Sequence, residues 1–190
     1  MKKILIAGLV GGIILYIWGV LAWVLLPFHT SAMNSFTNED AVVSSMSAGA
    51  PKKGVYFVPA QPPKAQTAET EAWMKKMEKG PTGMVVYDPA GMPPLMPVQM
   101  VIGFLNGVLG CILAAWFLSR STAASGSYFG KVAFCGALGI FASLTSHVLA
   151  WNWMNYPLDW SSRMVADTVI GWTLAGLGIA KANAPERLGI

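Results

Sequence analysis

Hydrophobic residues in this chain gather into long unbroken runs, not into an alternating or a 3.6-residue pattern. Four runs, over residues 4–27, 98–118, 132–151 and 164–180, contain a single charged side chain between them, Asp167. A bilayer core about 30 Å thick takes roughly 20 residues of helix to cross, and lipid offers no partner to an open backbone N–H or C=O. The runs therefore predict four transmembrane helices, the fourth at the short limit. The fold class expected is an all-α integral membrane protein. It is a four-transmembrane-helix bundle with a small α+β extracytoplasmic loop domain between helices 1 and 2.

Residues 28–97 break the pattern. The stretch 28–49 is polar, rich in Ser, Asn and Ala, and has no clear period, so no regular element is expected there. Val55-Tyr56-Phe57-Val58, closed by Pro59, and Met84-Val85-Val86-Tyr87 read as two short strands. Between them, residues 67–79 place acids early and lysines late before Gly80-Pro81, which predicts a helix. Four prolines between Asp88 and Pro97 then forbid regular structure. So little material folds poorly alone, and it is expected to rest on the helix ends or on a partner.

Composition supports the membrane reading. Of 190 residues 54% are hydrophobic and 12% charged, about half the ~25% charge of soluble domains. The net charge of +4 follows topology, not a nucleic-acid surface. Lys2 and Lys3 precede the first run, Arg120 and Lys131 flank the turn after the second, and Lys181 and Arg187 follow the fourth. Lys and Arg collect in short cytoplasmic loops. The expected location is thus a bacterial inner (cytoplasmic) membrane, multi-pass, with both termini cytoplasmic and residues 28–97 outside. The first run is 24 residues long, against about 7–15 for a signal-peptide core, and reads as an uncleaved anchor.

Small residues suggest how the helices meet. Gly8 and Gly12, and Gly103 and Gly107, form two G-x-x-x-G pairs and are candidate helix-packing positions. Cys111 and Cys135 lie within runs and read as small apolar residues. Trp151, Trp153, Tyr156 and Trp160 crowd the turn before the fourth run; they read as an interfacial aromatic belt, with a ligand-stacking cage as the alternative.

Ionisable groups at membrane depth are the natural places for chemistry. His147 and Asp167 fall near the outer ends of adjacent antiparallel runs, so they form a candidate intramembrane polar pair. His29, just past the first run, and Met92, Met96 and Met100 are candidate metal ligands, since thioethers suit Cu(I). No G-x-S-x-G, H-E-x-x-H or phosphate-cradling glycine loop is present. The expectation is a non-enzymatic membrane protein without catalytic residues or cofactor, an accessory or scaffold subunit. Its partners would be the lipid bilayer and other membrane-protein subunits or further copies of itself, and not nucleic acid. The alternatives are a small-solute or proton-coupled carrier using His147 and Asp167, and copper(I) handling by the methionine-rich loop.

Overall fold

The computed structural model describes residues 1–62, 67–121 and 126–182. It is mostly helical, with three helices long and apolar enough to cross a membrane: Lys2–Leu25, Pro97–Arg120 and Tyr128–Met154. The chain divides into a helical unit, Met1–Met33 with the chain from Leu95 onward, and a smaller unit, Asn34–Pro94.

In the helical unit, α1 (Lys2–Val20) runs on into a π-helical turn, Leu21–Leu25. Helix α4 (Pro97–Arg120) starts with proline in its first turn, where the missing N–H costs nothing. Helix α5 (Tyr128–Ser143) is capped by the Ser127 hydroxyl, which accepts from Gly130 N at 3.0 Å. A second π-helical turn, Leu144–Val148, joins α5 to the short α6 (Leu149–Met154). Asn155 in the left-handed region ends α6, and α7 (Leu158–Ala182) returns. Helix α1 packs along α4 and α7, and α7 packs along α5.

What lets these helices approach is the near absence of side chains between them. The core is Ala7, Cys111, Ala114, Ala115, Cys135 and Ala175, with only Leu118 and Ile179 of any bulk. In lipid there is no hydrophobic drive between helices, so close backbone contact has to supply the attraction. Gly8 and Gly12 lie so close to α4 that a Cβ on either would stand 2.7 Å from the Cα of Ile112 or Val108. Gly103 has nothing within 4 Å of a Cβ position, and Gly107 meets only Leu15 Cδ2 at 3.7 Å and Gly12 O at 3.9 Å. Gly103 is therefore not a packing position within this chain: α4 turns it away from α1.

Two other expectations change. Residues 39–49, expected to be irregular, form α2 (Glu39–Gly49). The Asn38 side chain accepts from Ala41 N at 3.0 Å, and Glu39 and Asp40 in the first turn suit the helix dipole. The fourth apolar run is only part of α7, a 25-residue helix. Its length would serve a span, but Asp159, Arg163 and Asp167 all fall in its N-terminal part, which leaves it outside the three helices apolar enough to cross.

The smaller unit is built on an antiparallel hairpin, β1 (Gly54–Val58) with β2 (Gly83–Tyr87), paired from Gly54↔Tyr87 to Val58↔Gly83. Helix α3 (Thr67–Lys79) lies between the strands in sequence, and its Trp73 indole donates to Pro59 O at 3.4 Å. One sheet face carries Tyr56 and Tyr87, edge to face, and the Tyr87 hydroxyl donates to Ser47 Oγ of α2 at 3.3 Å. The other face carries Val55, Phe57 and Val86, which are 56%, 51% and 74% exposed. Lys53 pairs with Asp88 at 2.7 Å across the open end of the hairpin.

Candidate functional site

The polar centre of the helical unit is Asp167. Helices α1 and α7 are antiparallel, and Gly171, one turn beyond Asp167, leaves space for an indole: a Cβ there would meet Trp18 Cδ1 at 2.9 Å. Trp18 lies over that glycine, and its Nε1 donates to Asp167 Oδ1 at 2.5 Å and to the Asp167 backbone oxygen at 3.2 Å. The π-helical turn that follows shifts the helix register, and Trp23 reaches back so that its Nε1 donates to Oδ2 at 3.3 Å. His29 completes the set, its Nε2 lying 3.2 Å from the same oxygen.

The surroundings are aromatic. Trp23 stacks on His29 with ring centres 3.8 Å apart and planes 16° from parallel. Phe28 and Trp160 meet the imidazole edge-on, at 5.0 and 6.1 Å. His29 is fully buried, and its Nδ1 has no partner. The tautomer with its proton on Nε2 satisfies Asp167 and leaves Nδ1 as a bare acceptor, a smaller loss than a buried orphan N–H. Arg163, one turn before Asp167, donates from Nη1 to Phe28 O at 2.7 Å and ties the backbone beside His29 to α7. A carboxyl flanked by indole faces needs such donors, because an unmet buried acceptor costs about 1–3 kcal/mol.

The expected partner of Asp167 is thus replaced. The histidine it engages is His29, whereas His147 Nε2 lies 3.0 Å from Thr168 Oγ1. The reason is helical: consecutive residues of α7 point about 100° apart, so Asp167 faces α1 while Thr168 faces α5. The aromatic group divides as well. Trp151 and Trp153 stay exposed, at 43% and 72%, but Tyr156 and Trp160 are half-buried. With His147, Ser161 and Met164 they line a half-open cavity of about 390 Å³.

The candidate metal ligands fall on different elements. His29 is occupied by Asp167, and Met96 caps α4 with its backbone in the left-handed region, one turn from Met100. Met92 belongs to the smaller unit. Among the described residues no group of three or more His, Cys, Asp or Glu side chains could hold a metal ion. Cys111 and Cys135 are free thiols buried in the small-residue core.

Sequence reasoning passed over Trp18 and Trp23. The signal was available: Asp167 is the only carboxyl in the four runs, and an antiparallel α1 brings its C-terminal end to the same depth. No family model matches the chain, and no curated protein or solved structure matches it either.

Proposed function

We propose that this protein is a non-enzymatic integral membrane subunit, a four-helix bundle that presents its small α+β unit to a larger assembly on the extracytoplasmic side of a bacterial inner membrane. The observation that carries the reading is the exposed sheet face of Val55, Phe57 and Val86. Apolar side chains side by side on a part of the chain that links two apolar helices are a signature of a protein contact. The positive residues Lys2, Lys3, Arg120 and Lys181 support cytoplasmic termini, with α7 as the fourth crossing helix.

Under this reading the Asp167 cluster is structural. A carrier needs a carboxyl that exchanges its proton or its ligand, and polar groups along a path; here three ring N–H donors hold the carboxyl, and the core cluster of the bundle is Ala and Cys with Leu118 and Ile179. The test is site-specific photocrosslinking from position 57 in native membranes. A discrete protein adduct that disappears when Val86→Asp is added supports the proposal. Adducts with lipid alone, or none, refute it.

A further inference from the structure

The cavity between the α5–α6 segment and α7 takes no part in holding Asp167. Its volume, about 390 Å³, lies at the small end of the ~300–1,000 Å³ typical of ligand sites. Two aromatic residues, Tyr156 and Trp160, line it together with Met164. Its polar groups are few and each uncommitted in some way. Ser161 is 4% exposed, and its Oγ is buried without a hydrogen-bond partner. His147 has spent Nε2 on Thr168, which leaves its other ring nitrogen, and Tyr156 adds a phenol.

Two further facts bear on this space. His147 sits on the π-helical turn Leu144–Val148, and such turns occur often at functional sites because they re-aim a side chain at the cost of regular bonding. A buried hydroxyl without a partner is costly in a folded protein, and a ligand oxygen would satisfy it. Among the described residues no Asp, Glu, Lys or Arg lines the cavity, which suits it to a neutral molecule. Flat aromatic walls favour a ring, and the hydroxyl and imidazole favour a carbonyl or hydroxyl on it.

We infer that this cavity binds a neutral, ring-bearing amphipathic molecule through Ser161 and His147, with Tyr156 and Trp160 enclosing the ring. The chemistry is shared by prenylated quinones drawn from the bilayer and by tailless phenols arriving from water. The site is independent of the sheet face, so either proposal stands if the other fails.

The experiment uses the full chain in lipid nanodiscs, with a photoreactive azido-benzoquinone bearing one isoprenoid unit as probe. Saturable labelling confined to residues 144–164 is the expected result. Ser161→Ala, which removes one oxygen, should weaken apparent affinity about 2- to 10-fold, the worth of one hydrogen bond. Met164→Trp, which fills the space, should abolish labelling, and Trp153→Ala, outside the cavity, should leave it unchanged. Competition by a prenylated but not a tailless ring assigns the bilayer as the source, and equal competition assigns water. Labelling without saturation overturns the inference. So does saturable labelling that Ser161→Ala leaves intact in protein with wild-type thermal unfolding, whether or not the Met164→Trp variant folds.

Discussion

Asp167 accepts from the rings of Trp18, Trp23 and His29, and each of these donors comes from the end of α1 or the turn after it. The carboxyl therefore works as a clasp between the first helix and the last. Asp167→Asn keeps the size but turns one oxygen into an N–H₂ that faces ring donors instead of accepting from them. The expected result is a loss of about 1–3 kcal/mol, read as earlier thermal unfolding in detergent, with a shifted emission from the released indole of Trp18. Trp18→Phe removes only one donor and should cost about 1 kcal/mol on the same measurement. Combined, the two changes should cost less than their sum, because they damage the same contact. A variant with Asn at 167 that unfolds at the wild-type temperature would show the clasp to carry no stability.

At the scale of elements, the close passage of α1 against α4 rests on Gly8 and Gly12. Gly12→Val would push side-chain carbons into the Val108 backbone, and overpacking of this kind typically costs about 1–3 kcal/mol. Gly103→Ala meets nothing, so thermal unfolding of that variant should match the wild type or exceed it by up to about 1 kcal/mol, the helix-propensity gain. The contrast also shows what the residue pattern could carry. Both G-x-x-x-G pairs look alike in the sequence, yet only Gly8 and Gly12 are both pressed against a neighbour, while Gly107 meets α1 at ordinary contact distance and Gly103 meets nothing. Helix α2 was hidden for the opposite reason: its cap, Asn38 with Glu39 and Asp40, is a local signal, but no apolar stripe drew attention to it.

The hairpin of the smaller unit has a pH-dependent element of its own. The Lys53 ammonium, and the Ala90 backbone N–H after it, hold the Asp88 carboxyl below its ordinary value of 3.8. A carboxyl depressed in the folded state adds stability above its unfolded pKa and loses it as the pH falls through the folded value. Hydrogen exchange of the β1–β2 amides should thus be flat from pH 7 to about 5 after correction for intrinsic rates, and should quicken below about 4. Asp88→Asn should remove that acid-side change. Because the Lys53 ammonium that it pairs with stands in solvent, the effect at neutral pH should be small.

For the whole molecule the long apolar runs were the legible part, and the polar centre was not. Runs of this length declare helices by composition alone, whereas the Asp167 clasp depends on a π-helical turn that shifts Trp23 off the ideal helical register, and a second such turn carries His147 to Thr168 instead. No periodicity reveals such a shift. What the runs do not decide by themselves is whether α7, with Asp159, Arg163 and Asp167 near its start, crosses the membrane as the other three long helices can. The proposed topology has it cross, and its pairing supports that reading. It lies antiparallel along both α1 and α5, it contributes Ala175 and Ile179 to the core, Arg163 and Asp167 are met by partners on neighbouring segments, and Asp159 and Lys181 lie at its two ends. A helix so placed has no way to leave the bundle without stripping the small-residue core of one wall. The outcome to expect from single engineered cysteines probed with a membrane-impermeant thiol reagent is specific. Positions 47 and 153 should react from the extracytoplasmic side of intact cells, and positions 2, 126 and 182 only after lysis. The native Cys111 and Cys135, both buried, should stay silent throughout. Reaction of position 182 from outside would mean that only three helices cross, and the clasp would then join a spanning helix to one lying at the surface.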